Sequence, residues 1–157
     1  MRCVQNNEPF LILEHDGYII KPLPDNVLNQ FTDILKLDNL DPFSKHYSSI
    51  IDEQQSDPLI ISKYHNPKAK TLDSGSKFVK KIGTGNYMRG GYGYLIKPNG
   101  AEKLINWIKT NGFVPADQQM GSAVVDIQVA TPSIVRLHPD YQNRVGELSL
   151  TDNLDLL

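Results

Sequence analysis

The stretch from Tyr94 to Gly112 constrains the fold more than any other part of the chain. Tyr94-Leu95-Ile96 is a short apolar run, and after Lys97-Pro98 the apolar residues recur at Ala101, Leu104, Ile105 and Ile108. A run of that length reads as a strand, and the later spacing lays one apolar stripe along a helix. The helix is expected over about 99–110, with Asn111-Gly112 as its natural stop. A strand that feeds directly into an amphipathic helix needs a sheet for that helix to cover, so the expected class is mixed α/β.

Other segments fit the same class. Phe10-Leu11-Ile12-Leu13 is a continuous apolar run ending in Glu14-His15-Asp16-Gly17, which reads as a buried strand with polar residues at its C-terminal end. Asp25 follows Pro24 as an N-cap candidate, and Val27, Leu28, Phe31, Ile34 and Leu35 recur at helical spacing, which predicts a helix there. Further strands are expected at 59–61, 78–82, 124–129 and 133–137, a loop between Tyr64 and Ser76, and a short helix from Ala116-Asp117. No internal repeat or clean linker divides the 157 residues, so one domain over 1–157 is expected.

Composition excludes some functions. The formal net charge is −2, so no general basic field marks a nucleic-acid binder. No apolar stretch has the length of a signal peptide core or a bilayer span. The one cysteine, Cys3, cannot form an internal disulfide, which suits a reducing compartment. A cytoplasmic protein without a transmembrane segment is expected.

Three constellations carry candidate chemistry. Residues i and i+2 of a strand point to the same side, so Glu14 and Asp16 would present two carboxylates to one cation if strand geometry persisted through them. Oxygen ligands of this kind suit Mg²⁺ or Mn²⁺; the alternative is a solvated strand end. The stretch Gly83-Thr84-Gly85-Asn86-Tyr87-Met88-Arg89-Gly90-Gly91-Tyr92-Gly93 is neither a P-loop nor a dinucleotide fingerprint, because no Gly-Lys-Ser/Thr follows and Met88 takes the third glycine position. It permits either a close backbone approach to a ligand or a turn and hairpin. Lys80, Lys81 and Arg89 either meet a diphosphate or form a solvated basic face. Asp117 is an N-cap or a functional acid, and His138 is a ligand, a base or a structural strand-end residue.

The order of these segments resembles glycosyltransferase family 25, of the lipopolysaccharide biosynthesis and procollagen galactosyltransferase type. Ile12-Leu13-Glu14-His15-Asp16 is similar to the family's strand ending in an acidic triplet. Tyr94-Leu95-Ile96-Lys97-Pro98-Asn99-Gly100-Ala101-Glu102-Lys103-Leu104 resembles its Tyr-Leu-Ile strand and Gly-Ala helix opening. Pro115-Ala116-Asp117 resembles its Pro-x-Asp element, and Thr131-Pro132-Ser133-Ile134-Val135 its proline-containing strand. The resemblance implies a partial GT-A-like, Rossmann-like fold, a mixed sheet with flanking helices. It also implies Mn²⁺ or Mg²⁺, a nucleotide-sugar donor such as a UDP-sugar, and transfer of a sugar, often galactose, to a glycan, lipopolysaccharide or protein hydroxyl. On it, Glu14, Asp16 and His138 are the metal candidates, Lys80, Arg89 and Tyr92 the donor-binding candidates, and Asp117 the candidate base. His15 stands where the family has a middle acid. The family also has strands and helices ahead of the triplet, so this chain is expected to correspond to a C-terminal part and to pair with another copy or a separate N-terminal half. The alternative in another class is a non-catalytic interaction protein built on the same fold.

Overall fold

The structure, a computed structural model, describes residues 2–39, 58–65, 86–114, 116–138 and 141. Helix α1 (Arg2–Asn6) leads into strands β1 (Phe10–Leu13) and β2 (Gly17–Ile19), a 3₁₀ turn (Val27–Asn29) and β3 (Ile34–Lys36). Then come β4 (Ile60–Lys63), β5 (Gly93–Ile96), α2 (Pro98–Asn111), α3 (Ala116–Gln119), β6 (Ile127–Thr131) and β7 (Val135–Leu137). Five strands form one sheet in the order β1-β5-β3-β6-β4, and β2 pairs with β7 as a separate ribbon. β3 runs parallel to β6 and antiparallel to β5, with Ile34 opposite both Ile96 and Ile127. The mixed α/β expectation therefore holds.

The centre of the sheet departs from the sequence reading. The helix expected over 25–35 is a single 3₁₀ turn followed by a strand, and Asp25 is not its cap: Asn26 holds that position without a side-chain capping bond. Two physical reasons decide this. Asp25, Asn26, Asn29, Thr32 and Asp33 are all poor helix formers. Ile34, Leu35 and Leu37 are also fully buried, with Ile34 in one hydrophobic cluster and Leu35 and Leu37 in another. A one-stripe helix would not bury both sets, whereas a central strand covered on both faces does.

Each face has its own core. Ile34 packs with Met88, Ile96, Ala101, Leu104 and Ile127. Leu35 packs with Phe31, Leu95, Ala130, Ile134 and Leu137. Helix α2 starts with Pro98 at its first turn and buries Gly100, Ala101 and Leu104. Gly100 is required by close approach, since a β-carbon there would lie 2.8 Å from the Asp33 carbonyl oxygen. The helix stops where expected: Gly112 takes φ +88°, and its N–H donates to the Ile108 carbonyl at 2.9 Å.

β1 is not the buried strand expected. Among the described residues it is an edge strand paired only with β5, and Leu11 and Leu13 are exposed. The strand expected over 124–129 lies at Ile127–Thr131, because 122–124 form a turn. The one expected over 133–137 narrows to Val135–Leu137. The strand expected over 78–82 and most of the 64–76 loop lie outside the described residues. Among the described residues, no helix is long and apolar enough to cross a membrane.

Candidate functional site

β1, β3 and β6 all point the same way, since β1 and β3 are each antiparallel to β5 and β3 is parallel to β6. Their C-terminal ends therefore share one edge of the sheet, the side on which open α/β sheets bind ligands. Glu14 to Asp16 follow β1 there. Lys36 ends β3 and Asp38 follows it, and Thr131 ends β6 with Ser133 just beyond.

Strand geometry does not persist through Glu14 and Asp16. The chain turns tightly, with the Gly17 N–H donating to the Glu14 carbonyl at 3.1 Å. Two bonds anchor this turn: Glu14 N–H to the Tyr92 carbonyl at 2.9 Å, and His138 N–H to the Asp16 carbonyl at 2.6 Å. Only glycine fits at position 17, because a β-carbon would meet the Tyr92 carbonyl oxygen at 2.3 Å. Glu14 is exposed, and its Oε1 would lie 3.2 Å from a β-carbon at Gly91, so the glycine-rich segment runs directly beside it. Asp16 is half-buried, and its Oδ1 is buried without a hydrogen-bond partner.

The other predicted residues are distributed around this turn. His138 contributes its backbone to Asp16, while its ring packs edge-on against Tyr18 at 5.5 Å and Tyr141 at 6.2 Å. His15 packs edge-on against Tyr141 at 5.8 Å, and the Arg136 guanidinium lies 5.0 Å from the Tyr18 ring centre. Tyr92, expected at the donor, is buried in the core beside Leu95 and Val135. The Arg89 N–H donates to the Tyr64 hydroxyl at 3.1 Å. Asp117 stands in α3, which is tied to α2 by the Gln119 amide donating to the Leu104 carbonyl at 2.9 Å. Lys80 and Lys81 lie outside the described residues. The structure thus brings Asp16 and His138 together at the backbone, with Glu14 at the other end of the same turn. Among the described residues, no three His, Cys, Asp or Glu side chains form a group able to hold a metal.

Burial shapes two phenols, Tyr94 at this edge and Tyr64 at the opposite end of β6. Burial pushes the Tyr94 phenol up, and the Glu14 carboxylate adds to the shift. Burial also raises Tyr64, and its interactions with Arg89 oppose that while the Asp38 charge reinforces it.

Sequence reasoning missed a buried charged cluster. Lys36 and Asp38 are buried and form an ion pair, Nζ to Oδ2 3.5 Å. The Ser133 hydroxyl donates to Asp38 Oδ1 at 3.3 Å and to Asn39 Oδ1 at 2.6 Å, and the Asn39 amide donates to Thr131 Oγ1 at 3.1 Å. A signal existed: a lysine inside the apolar run 34–37 with an acid two residues later is the pattern of a same-face buried pair on a strand. A cleft of about 240 Å³ opens at the other end of β6, lined by Lys63, Tyr64, Asn86, Lys103, Ser122 and Asp126 among others. It contains none of Glu14, Asp16, Arg89 or His138.

A family model described as glycosyltransferase family 25 (LPS biosynthesis protein) matches residues 1–120. Neither a curated protein nor a solved structure matches the chain.

Proposed function

Because the chain belongs to glycosyltransferase family 25, we propose that it moves a sugar from a nucleotide-sugar to a hydroxyl of a glycan, lipopolysaccharide or protein acceptor. Galactose and a UDP donor are the choices the family resemblance favours. The geometric observation that carries this reading is the buried Oδ1 of Asp16, left without a hydrogen-bond donor in a turn that also presents Glu14. An unpartnered buried carboxylate oxygen costs about 1–3 kcal/mol, and a cation would offset that cost. Mn²⁺ or Mg²⁺ needs only one or two carboxylates and fills its other positions with water and substrate phosphates. Glu14 and Asp16 are the carboxylates that would meet such an ion; His138, whose ring packs against Tyr18 and Tyr141, does not complete a three-residue group with them. When bound, the ion supplies positive charge against the leaving diphosphate.

In the proposed transfer, the acceptor oxygen bonds to the anomeric carbon on the side away from the diphosphate. The carbon–oxygen bond to the diphosphate breaks, and the nucleoside diphosphate leaves with the electron pair. Asp117 takes the acceptor proton. Its helix is linked to the acid turn by one intermediate segment: the Met88 N–H donates to the Met120 carbonyl at 2.7 Å, and the Met88 Cε and Glu14 Oε1 both flank Gly91. Arg89 belongs to that segment and is the donor-contact candidate. The test is incubation of the protein with Mn²⁺ and a panel of nucleotide-sugars, following binding and hydrolysis. The reading expects at least one donor to bind; no binding to any of them contradicts it.

The same reading expects a partner at β1, whose outer edge and exposed Leu11 and Leu13 are suited to association. Sedimentation should show self-association; a monomer at high concentration contradicts this.

A further inference from the structure

A buried ion pair adds little to stability, because desolvation of both charges offsets their attraction, and an apolar pair of similar volume serves a core as well. Lys36 and Asp38 are 2 % and 0 % exposed, yet they occupy the end of the central strand. Lys36 projects from the face of β3 that also carries Ile34, since side chains alternate along a strand, and Asp38, two residues past the strand's end, pairs with it. Ile34 packs there with Met88 and Tyr64. Met88 begins the stretch of the glycine-rich segment that passes Gly90, at φ +62°, and reaches Gly91 beside Glu14. Between the Met88–Met120 bond and the Tyr92–Glu14 bond, the segment is held by the Arg89 N–H donating to the Tyr64 hydroxyl. The phenol of Tyr64 lies within the fields of both Asp38 and Arg89.

We propose that Tyr64 is a positioning residue that fixes the glycine-rich segment so that Arg89 faces the donor diphosphate. This rests on the donor reading above. Tyr64 does not touch the donor; it acts through the backbone of Arg89. The glycines let the segment pass close to Glu14 without side-chain obstruction.

The experiment compares the parent, Tyr64→Phe, Arg89→Ala and the double variant. UDP binding is measured by calorimetry with Mn²⁺, and amide hydrogen exchange is followed across 88–91. Tyr64→Phe keeps the ring and removes the acceptor. It should leave the melting temperature close to the parent value, speed exchange of the Arg89 amide, and weaken UDP binding about threefold to tenfold, the worth of one hydrogen bond. Arg89→Ala should weaken binding at least as much, and the double variant should add nothing further, because the two residues act in series. Parent-like UDP affinity in Tyr64→Phe, additive losses in the double variant, or unchanged Arg89 exchange would each overturn the proposal. If the parent itself binds no UDP, the donor reading fails separately, and the exchange measurement still decides whether Tyr64 holds the segment.

Discussion

Lys103 reaches from α2 to the buried carboxylate of Asp33, Nζ to Oδ2 2.6 Å, and so ties the helix to the start of the central strand. Asp33 is fully buried and serves three elements at once. Its Oδ1 accepts from the Asn99 amide at 2.8 Å, and its Oδ2 accepts from the Asp126 N–H at 2.8 Å as well as from Lys103. Its carbonyl accepts from the Lys97 N–H at 2.9 Å. Replacing Asp33 by Ala strands the Asp126 N–H and the Asn99 amide and should cost about 3 kcal/mol in denaturant unfolding. Lys103→Met should cost about 1 kcal/mol or less, because the lysine end is 44 % exposed and partly screened. Equal losses in the two variants would contradict this division of labour.

The helix α2 and its strand were legible because periodicity and stop signals agree: Ala101 and Leu104 are buried where the stripe predicted, and Gly112 ends the helix. β3 was not legible, because Val27, Leu28, Phe31, Ile34 and Leu35 fit helical spacing by coincidence. What decides that segment is Asp33 and its partners, which lie 66 to 93 positions away in sequence. The same holds for Gly100. The sequence marks it as part of a strand-to-helix motif, but its reason, contact with the Asp33 backbone, is tertiary. At the site, the acid pair was legible as two carboxylates near a strand end. Its geometry was not, because the Glu14–Gly17 turn depends on Tyr92 and His138. The Lys36–Asp38 pair was hidden inside an apolar run that the helical reading had absorbed.

Alkaline pH gives a second test. Tyr64 and Tyr94 both have phenols raised above the ordinary value of 10.0, chiefly by burial. A raised folded-state value means that the folded protein keeps a proton which the unfolded chain releases first. The stability contributed by the neutral phenols is complete below pH 10 and falls as pH climbs through the folded-state values. The denaturant midpoint should drop above that pH. Tyr94→Phe should flatten the fall, since it removes one of the two groups. An unchanged pH profile in both Tyr94→Phe and Tyr64→Phe would show that neither phenol is the cause.

Asp117→Asn separates catalysis from a helix-start role. Asp117 is the second residue of α3 rather than its cap, and an isosteric change in the first turn should alter unfolding little. If Asp117 is the base, transfer should fall by roughly 10²-fold or more with donor binding nearly unchanged. The assay is sugar transfer by the parent and the variant with the same donor. Transfer at the parent rate would leave Asp117 a helix-start residue.

The central claim is that the Glu14–Asp16 turn holds the cation on which donor binding depends. Its most direct test is the Mn²⁺-dependent binding of a UDP-sugar to the parent and to Glu14→Ala with Asp16→Ala, with circular dichroism confirming that both are folded. The account predicts binding by the parent that disappears with a chelator and a loss of that binding in the folded double variant. Binding of equal strength in the double variant, or binding by the parent that is indifferent to the chelator, would contradict it.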